Sequence, residues 1–319
     1  MTSFAACGLA VGHATDVEGA TGCTVVRGVD APFLCGVYVV GRATGTRELA
    51  VLDPAHLVSR VDAIFLSGGS AYGLDAAAGV MRWMEERGRG FPVGQGVVPI
   101  VPGAVIFDLA PLGRFDARPT PAMAYEACES ATPGEVPEGS VGAGTGATVG
   151  KIAGPVNAMK GGVGVGEAHA GAAQVRALAV VNALGDVRDA SGAIIAGARD
   201  PEKRWLNSEA WIALGDDGPP PLRFDTLAGR NTTLCVVSTN ANLSRVQVGA
   251  LARAASAALY RRITPVGTAF DGDVVFATAP TQDGVKASPA QVEALAVLAL
   301  ERAIERAVRT HAPGDIFQE

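Results

Sequence analysis

One segment divides this chain more sharply than any other. Residues 200–230, "DPEKRWLNSEAWIALGDDGPPPLRFDTLAGR", are polar, carry three consecutive prolines and show no periodic apolar face. Proline withholds a backbone donor and fixes φ, so the stretch is barred from a sheet interior and is expected as an exposed linker. Directly after it stand Asn231, Thr232 and Thr233, and then the apolar run Leu234-Cys235-Val236-Val237. The polar segment and the buried-looking run meet at Asn231, and the patterns on either side fix the fold class.

Downstream, 234–237 reads as a buried strand. Ser244 caps a helix whose Val248, Leu251, Ala252, Ala255 and Leu259 recur at helical spacing, with Arg261-Arg262 suited to its negative end. A second strand covers 274–277, and Ser288-Pro289 opens a helix through Val292, Leu295, Leu298 and Ile304 to about Arg309. Upstream, 61–66 reads as a strand that turns through Gly68-Gly69 into a helical stretch at 74–78. Residues 112–139 read as a long Pro-rich loop, and 177–181 as a strand ending at Asn182. Alternating strands and helices without an internal repeat place the chain in the α/β (α+β) class, as one domain over residues 1–319.

Composition narrows the function. Gly contributes 41 residues and aromatics only 5%, so close backbone packing through Ala, Val and Leu is expected. A formal net charge of -6 with no basic run argues against nucleic acid and anionic membranes, because phosphate binding needs clustered Lys and Arg. The five cysteines are scattered without a C-x-x-C pair, as in a reduced, cytoplasmic protein. No apolar run approaches the roughly 20 residues of a membrane span, and the N-terminus lacks a signal-peptide pattern.

Several motifs fail on inspection. The glycine-rich 142–151 is no phosphate loop: Thr145 and Ile152 break the Walker pattern, and Ala147 breaks the dinucleotide one. Gly68-Gly69-Ser70 is no nucleophile elbow, since Tyr72 stands where glycine is required. The four histidines are far apart and match no metal pattern, so neither metal nor organic cofactor is implied. Asn231-Thr232 keeps two readings, a strand cap or a place where the chain cuts itself. A Thr hydroxyl needs a base, and the α-amine freed by such a cut can be that base. Its pKa of about 7.7–8.0 suits general-base work near neutral pH.

Taken in order, "SGGSAYGLDAAAG", "GAGTGATVGK", "VVNALGDV", "GRNTTLCVVSTNANLS" and "VGTAFDGDVVFA" resemble the P1 (S58) peptidase family over nearly the whole chain. That family includes the L-aminopeptidase/D-esterases and, closer in these motifs, the 6-aminohexanoate-oligomer (nylon-oligomer) hydrolases. The resemblance implies a four-layer αββα sandwich like that of N-terminal-nucleophile hydrolases. It implies self-cleavage into a 1–231 α fragment and a 232–319 β fragment, with αβ pairs assembled as a homotetramer. Carried onto this sequence, Thr232 matches the nucleophile released after Asn231, and Asn182 the oxyanion-stabilising amide. Lys151 matches the active-site lysine, with Lys160 in "MKGG" as its competitor. Asp271 and Asp273 match an acidic pair beside the nucleophile. Phe107 stands where relatives carry an assisting Tyr, so Tyr72 or Tyr125 replaces it or Asn182 carries more of the load. The implied activity is hydrolysis of a small peptide or oligoamide substrate through an acyl-enzyme. An acyltransferase using the same intermediate and a non-catalytic relative of the fold are the alternatives.

Overall fold

The computed structural model describes residues 2–215 and 230–310. Two five-stranded sheets dominate it. The first contains β1 (Leu9–Asp16), β2 (Thr21–Gly28), β4 (Gly45–Arg47), β5 (Ala63–Ser67) and β6 (Gly103–Val105), in the order β1-β2-β5-β6-β4. The second contains β3 (Leu34–Val39), β7 (Gly162–Ala170), β8 (Ala173–Asn182), β9 (Thr232–Thr239) and β10 (Val274–Ala279), in the order β7-β8-β9-β10-β3. β5 runs parallel to β6 and β9 parallel to β10, and the other pairings are antiparallel.

Alternation along the strands builds the layers. In β5, Ile64 and Leu66 join the cluster that also holds Leu178, Val180, Leu234, Val236, Val274 and Phe276, so this cluster lies between the sheets. Ala63 and Phe65, on the opposite face of β5, pack with Val80 and Trp83 of α1 (Ala77–Glu85) and Ala124 and Ala127 of α2 (Pro121–Glu129). In β9, Cys235 and Val237 turn the other way and meet α4 (Arg245–Ala255), α5 (Ala257–Arg262) and α6 (Pro289–Arg309). The result is helices, sheet, sheet, helices: the αββα sandwich. Every residue of β9 is buried, as a central strand covered on both faces requires.

The glycines set how closely helices approach the sheets. A Cβ at Gly164 of β7 would lie 2.1 Å from the Ala303 carbonyl of α6, and one at Gly166 2.1 Å from the Ala299 carbonyl. Bare strand backbone under an alanine face lets α6 seat deeply. Caps fix the helix starts: the Ser244 side chain accepts from Gln247 N while the Gln247 side chain accepts from Ser244 N, and Ser288 accepts from Gln291 N ahead of Pro289.

Two expectations need correction. The 112–139 segment is not all loop, since it contains α2, capped by Thr120 with Pro121 in its first turn. The linker read at 200–231 is not exposed throughout. Its described first part folds α3 (Ser208–Ala213), and Leu206 and Trp211 pack against Ile152, Leu184 and Ala198. Buried Asp186 fastens it, accepting from Ser208 N at 2.6 Å, Ser208 Oγ at 2.7 Å and Ala198 N at 3.0 Å. At its far end Asn231 is fully buried. Residues 216–229 of that linker lie outside the described residues.

Candidate active site

The order β8-β9-β10 brings together residues that lie far apart in sequence. Asn182 closes β8 and Thr232 opens β9, and the two are register partners. On the other side of β9, Asn231 forms a parallel bridge with Asp271, just ahead of β10. Residues 231–233 therefore lie between Asn182 and the 271–273 turn. Lys151 reaches the same place from a turn whose backbone is tied to the end of β8, with Lys151 N donating to Leu184 O at 3.0 Å.

Hydrogen bonds define the geometry. Lys151 Nζ donates to Asn182 Oδ1 at 2.8 Å, Asn182 O at 3.0 Å and Arg230 O at 3.0 Å. Asn182 Oδ1 also accepts from Thr148 N at 3.0 Å, which fixes the amide so that Nδ2 donates to Phe107 O at 3.0 Å and Arg230 O at 3.1 Å. The Thr232 hydroxyl donates to Asn231 O at 2.6 Å, and the same carbonyl accepts from Gly272 N at 2.8 Å. Asp273 accepts from Thr233 N at 2.6 Å and Gly267 N at 3.2 Å. Asp271 accepts from Thr268 N at 2.9 Å and Thr268 Oγ1 at 2.6 Å.

Burial shapes the electrostatics. It pushes the Lys151 amine down to about 7, against the opposing pull of Asp271 and Asp273. It pushes Asp273 up, and the neighbouring Asp271 carboxylate pushes it further the same way. Asp271 is raised by burial as well, an effect that its bonds to Thr268 oppose. One amine and two carboxyls thus all have their charged forms disfavoured beside a hydroxyl in contact with a peptide carbonyl. Lys151 and Asp273 can therefore exchange protons near neutral pH at small cost.

The structure gathers Asn231, Thr232, Asn182, Lys151, Asp271 and Asp273 into one cluster. Phe107 joins through its carbonyl, and the Arg230 guanidinium lies 5.5 Å from its ring. The two tyrosines expected to replace the missing phenol are engaged elsewhere. Tyr72 is exposed with Arg118 stacked on its ring at 3.5 Å, and the Tyr125 hydroxyl donates to Glu86 at 2.6 Å. Lys160 lies under the glycine-rich turn, donating to the carbonyls of Thr145 at 2.6 Å and of Gly144 and Ala147 at 3.2 Å. Sequence reasoning missed Gly272 N, the Arg230 carbonyl and Thr148 N, because main-chain groups leave no mark on residue identity. Thr268 beside "FDGD" was the one side-chain signal available. No group of His, Cys, Asp and Glu among the described residues is arranged to hold a metal. No helix among them is long and apolar enough to cross a membrane.

The mixed sandwich is shared with solved aminopeptidases. An L-aminopeptidase D-Ala-esterase/amidase from Ochrobactrum anthropi, described as a variant of that hydrolase fold, superposes with a TM-score of 0.66 at 22% identity, covering 94% of this chain and 83% of its own. A Burkholderia sp. beta-aminopeptidase gives 0.63 at 22% identity, covering 94% and 84%. The model of Peptidase family S58 matches residues 6–312, and the chain belongs to that family. An uncharacterized aminopeptidase of Mycobacterium bovis is 43% identical over 297 residues, 87% of this chain and 82% of the relative. A 6-aminohexanoate-oligomer endohydrolase of Kocuria sp. is 33% identical over 292 residues, 88% and 76%. The protein is accordingly a hydrolase of amide bonds.

Proposed function

We propose that this hydrolase cuts itself between Asn231 and Thr232 and then uses Thr232 as an N-terminal nucleophile. The observation that carries the reading is the Thr232 hydroxyl, 2.6 Å from the carbonyl oxygen of the peptide bond to be broken and ringed by Lys151, Asn182, Asp271 and Asp273. After the cut, the fragments are 1–231 and 232–319. The new α-amine takes the hydroxyl proton, and Oγ attacks the carbonyl of a bound amide. Asn182 Nδ2, released from Arg230 O, donates to the oxyanion, a contribution worth roughly 10²–10³ in rate. The leaving amine departs protonated, and water attacks the acyl-enzyme to restore the hydroxyl. Lys151 holds the terminus and keeps its amine basic only near neutrality, while Asp271 and Asp273 orient both amines. With Phe107 unable to donate, Asn182 carries the oxyanion load alone among side chains.

The substrate class that fits is a short peptide or a linear oligoamide, the chemistries named for the mycobacterial and Kocuria relatives. A cytoplasmic tetramer of αβ pairs is the expected assembly. Intact mass under denaturing conditions tests the core of this reading. Two species split after Asn231 are expected. A single uncut mass after prolonged incubation would refute the proposal and return Asn231-Thr232 to a strand cap.

A further inference from the structure

The scissile carbonyl in the uncut chain does not face the amide assigned to oxyanions. Asn182 Nδ2 points at Phe107 O and at Arg230 O, one residue upstream. Lys151 is committed to Arg230 O and Asn182. Asn231 O accepts instead from the main-chain N–H of Gly272 at 2.8 Å, beside the attacking hydroxyl itself. We infer that this N–H is the oxyanion donor of self-cleavage, distinct from the Asn182 amide that serves turnover. The inference rests on the self-cleavage reading above.

The chemistry balances around that bond. Thr232 Oγ forms a bond to the Asn231 carbonyl carbon, and the carbonyl oxygen takes up negative charge against the Gly272 N–H. The Asn231–Thr232 C–N bond then breaks, and the hydroxyl proton ends on the departing nitrogen. An ester links Asn231 to Thr232 Oγ, and water cleaves it to a carboxylic acid and the free hydroxyl. A donor at 2.8 Å lies within the range in which oxyanion holes work.

Position 272 is built for this role in two ways. The Asp271 carbonyl accepts from Arg42 N at 2.8 Å and Ala43 N at 2.9 Å, so the turn that aims the N–H is pinned from the other side. A Cβ at 272 would lie 2.8 Å from Thr232 Oγ1 and 2.6 Å from Ala43 O, so any side chain there would displace the hydroxyl. Glycine keeps donor and nucleophile on the same carbonyl.

The test deletes the one proton. Full-length chain made by in vitro translation with glycolic acid at 272 has an ester oxygen in place of the N–H and is otherwise unchanged. A control chain carries lactic acid at 43, removing a neighbouring N–H that bonds to Asp271 O and leaving Asn231 O untouched. Cutting is followed by the appearance of 1–231 and 232–319. We expect the 272 ester to slow it roughly 10²–10³-fold and the 43 ester to slow it less than about tenfold. Equal slowing by both esters, or a 272 ester that cuts at the rate of the all-amide chain, overturns the assignment. An all-amide chain that is never cut at Asn231 fails earlier and takes the parent reading with it.

Discussion

Lys151 should stabilise the wrong thing: the reaction rather than the fold. Consider Lys151→Met in a Thr232→Ala background, which keeps the chain in one piece. The substitution removes three hydrogen bonds from Nζ. Asn182 Oδ1 keeps Thr148 N and Arg230 O keeps Asn182 Nδ2, and above pH 7 the neutral amine has two protons to donate, so about 1 kcal/mol each, about 2 in all, is a fair cost. Against this stands the penalty of burying an amine whose pKa has fallen from 10.5 to about 7. At about 1.4 kcal/mol per pH unit, the native lysine costs the fold about 5 kcal/mol at neutral pH. The sign follows from proton counts. Between pH 7 and 10.5 the unfolded chain binds the proton and the folded one does not, so the penalty shrinks as pH rises and is gone above 10.5. The variant should therefore be more stable by about 3 kcal/mol at pH 7, equal near pH 9 and less stable by about 1 kcal/mol near pH 10. Urea unfolding across that range reads it directly. A variant less stable by about 2 kcal/mol or more at pH 7, with a difference flat to pH 10, would refute the reasoning. With Thr232 restored, the same substitution should slow the appearance of cut chain.

Three further outcomes follow from the packing. His13 is half-buried, and desolvation of its ring lowers its pKa to about 4, so the unfolded chain takes up a proton between pH 6.5 and 4 that the folded one refuses. Stability should fall by up to about 3 kcal/mol as pH drops through that window, and His13→Gln should lose this part of the slope in urea titrations at pH 7 and 4.5. Gly164→Ala should cost about 3 kcal/mol in thermal unfolding by forcing α6 off the sheet, whereas Gly249→Ala, in open space within α4, should gain about 0.5–1 kcal/mol. Asp186→Ala leaves three donors without their acceptor and should make residues 206–213 the first to exchange amide hydrogens, with a global loss of about 2–4 kcal/mol.

Strong periodic signals were legible in the sequence. The 234–237 run lies within β9, and the helix opened by Ser288-Pro289 runs as α6 to Arg309. α2 was missed although Thr120-Pro121 is the same kind of start, because a short Ala-rich helix inside a Pro-rich stretch shows little amphipathic contrast. The first half of the presumed linker was misread because its anchor, Asp186, lies on a distant strand end and composition is blind to such partners. The residues of the site were readable as a family pattern, but their convergence depends on strand order. Nothing in residue identity says that β8 and β10 flank β9, or that Asn182 sits across from Thr232. The choice between Lys151 and Lys160 likewise turns on the fold, since Lys151 Nζ reaches Asn182 and Arg230 O whereas Lys160 Nζ reaches the carbonyls of the glycine-rich turn.

The position of Thr232 has a consequence for how such a protein can be made. β9 and β10 lie inside the second sheet, with β7 and β8 on one side and β3 on the other, and those three strands all precede residue 231. Were the chain broken there, neither piece would own the complete second sheet, and the joints between them would be two runs of ladder hydrogen bonds, β8 to β9 and β10 to β3, through the middle of the core. The intact precursor folds as a single chain at a rate independent of concentration. The proposed cut form, if unfolded, would have to find its other half in solution, a second-order search between two fragments that each expose unpaired strand edges. On the proposed self-cleavage, synthesis would be a one-way route: the linkage that guides folding would be spent in creating the nucleophile, and the cut form's lifetime would be set by how slowly it opens.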